Sequence, residues 1–233
     1  MSAVAIIPAR GGSKRIPRKN IKPFCGVPML TRAIQAALNS STFDRIIVST
    51  DCPEIADLAR ESGAEIPFVR PDHLSDDHAT TIDVIIHALV SMAEGGFQPD
   101  TACCLYPCTP FTTGAILRRF HKRLLQTDAD YVFPVCAFPS APQRALQRDS
   151  QGRTSPLDPR YELTRTQDLT PAFFDAGQFY CGRVTAWQAR KHVHSHGIGD
   201  LVNWIAGIDI DTPEDWQRAE VLFHALCAGE SSS

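Results

Sequence analysis

Residues 4–20 read V-A-I-I-P-A-R-G-G-S-K-R-I-P-R-K-N. The passage splits into two chemistries. Val4 to Ile7 is a short apolar run of the kind that forms a buried strand. Pro8 ends it, and Gly11 and Gly12 follow, residues that permit backbone conformations closed to others. Arg10, Lys14, Arg15, Arg18, Lys19 and Lys22 all precede the first acidic residue, Asp44. So many uncompensated cations on one loop repel each other, and a bound polyanion explains them better than partners within the loop. A glycine-rich turn also lets backbone N–H groups point at phosphate oxygens. A nucleoside triphosphate is the implied ligand, and a solvated basic loop after a first strand is the alternative. Neither the Walker A spacing nor the three-glycine dinucleotide fingerprint is present.

The rest of the chain limits the classes this loop can belong to. At 233 residues the chain suits one domain, or one with an appendage, and its net charge of −3 argues against a protein that coats nucleic acid. No apolar stretch reaches the roughly 20 residues needed to span a bilayer. Nor does the N-terminus read as a signal peptide. None of the eight cysteines forms a C-x-x-C pair, so reduced thiols in a cytoplasmic protein are expected.

Strands and helices alternate through the first half of the chain. Helices are expected at 28–38, 53–62 and from about 81, and strands at 45–50, 65–69, 101–105 and 131–136. Short connections between them indicate an α/β fold with a mostly parallel sheet covered on both faces. Ligands of such sheets bind beyond the C-terminal strand ends. The basic loop, Asp51, Arg70 and the helix start at Thr80-Thr81 all fall at that edge. Periodicity vanishes between Ala137 and Pro171. A strand at 178–181 and a helix at 184–191 follow, then alternating His192, His194 and His196, which lack a nearby carboxylate in sequence and are not read as metal ligands.

The last strand is expected at 203–211, ending in I-D-I-D-T. On an extended chain Asp209 and Asp211 project to one face. Two acids together repel unless a cation lies between them. Mg2+ needs only one or two carboxylates plus phosphate oxygens, which makes it the implied cofactor. The alternative is that one acid caps the helix at 213–226; capping by Thr212 would leave both free.

The motif A-R-G-G-S-K-R-I-P-R-K-N resembles the first block of the CMP-nonulosonate synthetases, cytidylyltransferases with a Rossmann-like nucleotidyltransferase fold. R-P followed by L-S-D-D and a threonine pair resembles their second block, and I-D-I-D their metal site. R-T-Q-D-L (165–169) with D-A-G-Q-F-Y (175–180) is most similar to the branch that uses pseudaminic acid. The resemblance implies that Arg10, Gly11, Gly12, Ser13 and Lys14 hold the triphosphate of CTP. Asn20, Arg70, Thr80 and Thr81 would approach the nucleoside, and Asp209 and Asp211 would carry Mg2+. Arg10, Lys14 and Asp209 take the catalytic roles.

Tyr106, Arg165, Gln178 and Tyr180 are assigned to the sugar. Tyr106 departs from the Gln expected in sialic acid enzymes. The resemblance also implies a homodimer in which an arm at about 137–175 packs on the partner, within one domain spanning 1–228, followed by a disordered tail at 229–233. Sialic acid or the eight-carbon KDO are the rival substrates. A non-catalytic nucleotide-binding protein is the rival of another class.

Overall fold

The computed structural model describes residues 1–13, 15–76, 78–205 and 207–230, the last four by backbone alone. Lys14 and Asp77, both within motifs quoted above, lie outside the described residues, as do tail residues 231–233. The opening apolar run forms β1 (Ala3–Pro8). A two-rung hairpin, β2 (Pro23–Phe24) with β3 (Val27–Pro28), leads into α1 (Met29–Ser40). Then come β4 (Arg45–Ser49), α2 (Pro53–Glu61), α3 (Thr81–Glu94), β5 (Thr101–Leu105), α4 (Gly114–Leu125) and β6 (Tyr131–Ala137). The second half holds the hairpin β7 (Leu146–Arg148) and β8 (Thr154–Pro156), then β9 (Phe173–Asp175), β10 (Phe179–Arg183), α5 (Val184–Gln188), β11 (Gly197–Leu201) and α6 (Pro213–Glu230).

The central sheet has the order β11-β6-β10-β5-β1-β4, with β9 added on β6. β4, β1, β5, β6 and β11 run in one direction, while β10 and β9 run against them. The expected mostly parallel α/β sheet is therefore present. β1 shows why it is central. Ala5 and Ile7 join Leu30, Ile34, Leu117 and Phe120 of α1 and α4 on one face. Val4 and Ile6 join Ile85, Leu89 and Met92 of α3 and Trp187 of α5 on the other. Burying each such aliphatic side chain stabilises the fold by about 1.5–3 kcal/mol. A strand covered on both faces must be apolar at every position, and this one is.

Two expectations are corrected. Residues 65–69 do not form a strand: only Glu65 bridges to Ile47. Pro67 has no N–H to continue the ladder, and Val69 is exposed. Residues 203–211 do not form the last strand either. That place beside β6 is taken by β11, whose Gly197 and Gly199 lie where an added Cβ would come within 2.6–2.7 Å of Val193 O and Val135. The glycines hide this strand from a pattern search because they carry no side chain to alternate. The stretch after β6, where periodicity vanishes, has local structure of its own. It holds the β7–β8 hairpin and short 3-10 turns at Pro142–Arg144, Pro159–Tyr161 and Thr166–Asp168.

Candidate active site

The C-terminal ends of β1 and β5 open into a cavity of about 480 Å³. Arg10, Ser13, Arg15, Lys19 and Asn20 of the basic loop line one part of it; Asp209 and Asp211 line another. Tyr106, Cys108, Gly177 and Tyr180 complete the wall. Seven of the residues singled out from the sequence are thus brought into one cleft: Arg10, Ser13, Asn20, Tyr106, Tyr180, Asp209 and Asp211.

The loop is folded by its own contacts. Asn20 is 7% exposed, and its Nδ2 donates to the Arg10 carbonyl at 2.9 Å, clasping one end of the loop to the other. Its Oδ1 accepts from the Cys108 thiol at 3.3 Å, which ties the clasp to the turn after β5. Burial pushes the Cys108 thiol up to about 12, so it serves here as a neutral donor. Arg10 donates to the Asp76 carbonyl at 2.9 Å.

Two expectations about this loop are corrected. First, neither Gly11 nor Gly12 has a positive φ; in this region Arg18 and Cys25 do, together with Gly26. Gly11 is instead a point of close approach, where an added Cβ would meet Cys52 at 3.2 Å. Its N–H donates to Asp51 at 3.2 Å. Second, several of the cations do have protein partners. Arg18 pairs with Glu54, Arg15 and Lys19 pair with Asp211, and Lys22 stacks over Trp216 at 4.5 Å. The first acid falls late in the sequence, but folding brings acids from elsewhere to the loop.

Asp209 and Asp211 lie in an irregular segment and still share a face, because Ile210 between them is fully buried against Phe24 and Trp216. The helix is not capped by either carboxylate. Thr212 Oγ1 accepts from the Asp215 N–H at 3.1 Å, and Asp215 accepts from the Thr212 N–H at 2.9 Å, a capping box that leaves both acids to the cleft. Arg15 reaches Asp211 at 2.7 Å and Lys19 at 3.4 Å. Burial, and then the Asp211 charge, push the Asp209 carboxyl above the usual range, against the pull of Lys19 and Arg15. Among the described residues no group of three His, Cys, Asp or Glu could hold a metal alone. A hard cation needing two carboxylates and substrate oxygens fits the pair that is present.

Tyr106 and Tyr180 meet edge to face at 5.9 Å, and both hydroxyls are already engaged. Tyr106 shares a 2.8 Å hydrogen bond with Thr81, and Tyr180 donates to Asp175 at 2.7 Å. Burial pushes both phenols well up, so they remain neutral. Thr80 caps α3 by accepting from the Asp83 N–H at 3.2 Å. Thr80 and Thr81 line a second cavity of about 280 Å³ on the other side of the tyrosines.

Gly11, Gly12, Thr80 and Thr81 do not line the main cleft, and neither do Gln178, Arg70 and Arg165. Gln178 is 2% exposed and its carboxamide accepts from Thr112 at 3.2 Å, so it stands behind the wall. Arg70 is 4% exposed and donates to Ser49 Oγ at 3.0 Å; burial lowers it to about 10. Arg165 is exposed on the segment after β8. Conversely, Arg15, Lys19 and Cys108 line the cleft without having been given individual roles. The first two sit inside the quoted loop, and Cys108 sits between the prolines of Y-P-C-T-P-F. Asp175, which holds Tyr180, lies in D-A-G-Q-F-Y.

The architecture is a Rossmann-like nucleotidyltransferase fold. A solved CMP:2-keto-3-deoxy-manno-octonic acid synthetase complexed with CTP matches 97% of this chain and 99% of its own, at TM-score 0.71 and 16% identity. A 4-diphosphocytidyl-2C-methyl-D-erythritol synthase from Anaerococcus prevotii matches at TM-score 0.60 and 12% identity, over 96% of this chain and 98% of its own. The sequence narrows this class: the cytidylyltransferase family matches residues 4–195, and the chain belongs to that family. It is 37% identical over 224 residues to the pseudaminic acid cytidylyltransferase of Campylobacter jejuni, covering 96% of this chain and 97% of that one. It is 32% identical to the CMP-N,N'-diacetyllegionaminic acid synthase of Legionella pneumophila, over 95% and 96%. No described helix is long and apolar enough to cross a membrane.

Proposed function

We propose that this enzyme transfers CMP from CTP to a nonulosonic acid, with pseudaminic acid as the sugar, and releases pyrophosphate. The observation that carries the reading is one cavity lined by Arg10 and Ser13 of the basic loop, by the acids Asp209 and Asp211, and by the Tyr106–Tyr180 wall. The names of the Campylobacter and Legionella relatives support the sugar class.

In this reading the sugar's anomeric hydroxyl attacks the α-phosphorus of CTP. A new P–O bond forms as the bond to the pyrophosphate oxygen breaks, and the hydroxyl proton passes to Asp209. Phosphoryl chemistry of this kind depends on positioning and charge neutralisation more than on covalent help. Arg10 and Lys14 meet the charge gathering on the leaving pyrophosphate. Asp209 and Asp211 hold Mg2+, which supplies neutralisation of the phosphate oxygens when bound. Sialic acid's glycerol tail asks for hydrogen-bond partners, while pseudaminic acid carries a second acylamino group and a terminal methyl. Two tyrosines whose hydroxyls are spent on Thr81 and Asp175 suit the latter. Arg165 is the candidate for the sugar carboxylate, from its own chain or a partner's. Exposed Leu146, Leu157 and Leu163 along 137–175 support a homodimer joined through this arm.

The test is pyrophosphate release with pseudaminic acid, N-acetylneuraminic acid and KDO at equal CTP and Mg2+. Pseudaminic acid is expected to be used best. Equal or better use of N-acetylneuraminic acid would overturn the sugar and leave the reaction class standing. No release with any of them would overturn the enzyme reading.

A further inference from the structure

One carboxylate organises the aromatic wall from behind. Asp175 closes β9, and its side chain is 22% exposed. Its Oδ2 accepts from the Tyr180 hydroxyl at 2.7 Å and pairs with His194 Nε2 at 2.7 Å. Its Oδ1 accepts from the Gly177 N–H at 2.8 Å. Three separate pieces of chain therefore converge on this one group: the turn at Gly177, β10 and the short turn at Val193–Ser195. Gly177 and Tyr180 line the main cavity, whereas Asp175 does not. Tyr180 and Tyr106 also line the second cavity of about 280 Å³, so the pair is the partition between the two spaces. The Tyr180 ring is packed on Tyr106 at 5.9 Å and on Phe133 at 6.0 Å.

The position of the ring is thus fixed by packing, and the direction of its hydroxyl by Asp175. A half-buried hydroxyl deprived of its acceptor must find another. Tyr180 borders open space on two sides, the main cleft and the second cavity. We propose that Asp175 is a positioning residue for the sugar. By holding the Tyr180 hydroxyl, it makes the partition meet the substrate with ring carbon and edge instead of with a polar group. It is thereby a determinant of selectivity for sugars with apolar substituents. This inference rests on the nonulosonic acid reading above.

The experiment is a cycle of Asp175→Ala, Tyr180→Phe and the double variant, followed by pyrophosphate release, with KM for sugar and for CTP measured separately. Asp175→Ala is expected to raise the sugar KM about tenfold, the scale of one hydrogen bond to a charged group. The CTP KM should stay within about twofold. Tyr180→Phe keeps the ring of the wall and removes only the hydroxyl held by Asp175, so it should raise the sugar KM by clearly less than Asp175→Ala does. The double variant should regain most of the loss seen in Asp175→Ala, since it has no freed hydroxyl. A merely structural role for Asp175 predicts no such rescue and a parallel rise in both KM values; either result overturns the proposal. So does a Tyr180→Phe enzyme as impaired as Asp175→Ala, which would mean the hydroxyl serves the sugar directly. If Asp175→Ala does not fold, Asp175→Asn takes its place. Asn retains an acceptor oxygen, and a sugar KM within about threefold of wild type is expected. A wild-type enzyme that releases no pyrophosphate with any nonulosonic acid overturns the underlying reading instead.

Discussion

Arg15 Nη1 lies 2.7 Å from Asp211 Oδ2, joining the basic loop near the start of the chain to the acid pair near its end. The two side chains are 68% and 33% exposed. An ion pair so open to water is worth at most about 1 kcal/mol. It can balance Asp211 while no cation is bound, and it is weak enough to be displaced.

Arg15→Ala is therefore expected to tighten the binding of a divalent cation by a few-fold, because the cation no longer competes with a guanidinium. Titration of the nucleotide-free protein with Mn2+, read by its electron paramagnetic resonance, measures this directly. Unchanged or weaker Mn2+ binding would show that Arg15 and the metal do not share Asp211.

The two acids should behave alike in activity and differently in stability. Asp209→Asn and Asp211→Asn are each expected to lower turnover by on the order of a hundredfold or more. The Asp209 carboxyl is raised in the folded state, so the folded protein holds that proton more tightly than the unfolded chain does. Ionised Asp209 is thus a cost to folding, fully present above its folded value and absent below the ordinary carboxylate range near pH ~4. Asp209→Asn should raise Tm at pH 8 without divalent metal, and the gain should vanish as the pH falls through that window. Asp211→Asn removes the partner of Arg15 and Lys19, so it should give no such gain. Thermal melts across pH in a chelating buffer decide between these outcomes.

Gly114 opens α4 where that helix meets the end of α1. A Cβ there would come within 2.6 Å of the Asn39 carbonyl carbon and the Ser40 nitrogen. These are backbone atoms with no rotamer to move, so Gly114→Ala must push two helices apart. A loss of about 1–3 kcal/mol in urea unfolding is expected. A neutral or stabilising result would show that the contact relaxes freely.

Much of the fold was legible in residues 4–105. β1, β4 and β5 each centre on an apolar run, and α1 to α3 have one apolar face, because burial on two faces or one imposes those patterns. The motif A-R-G-G-S-K-R-I-P-R-K-N likewise carried the family, since so long a run of glycines, cations and a closing asparagine at fixed spacing seldom arises by chance. β11 was not legible: its glycines are chosen for the space left by Phe133 and Val135, and nothing local records that space. Nor was the end of the strand expected at 65–69, where a single proline outweighed the apolar residues around it.

The chain by itself determined which residues bring charge, acid and aromatic surface to the site. Only the tertiary structure decided what each one faces. Local pattern cannot show that Asp211 balances Arg15, that Ile210 turns both acids the same way, or that Gln178 lies behind the wall. It cannot show that both tyrosine hydroxyls are spent on Thr81 and Asp175. Arg15 and Asp211, like Gln178 and Thr112, are far apart in sequence, and polar groups take whichever partner the packing brings within reach.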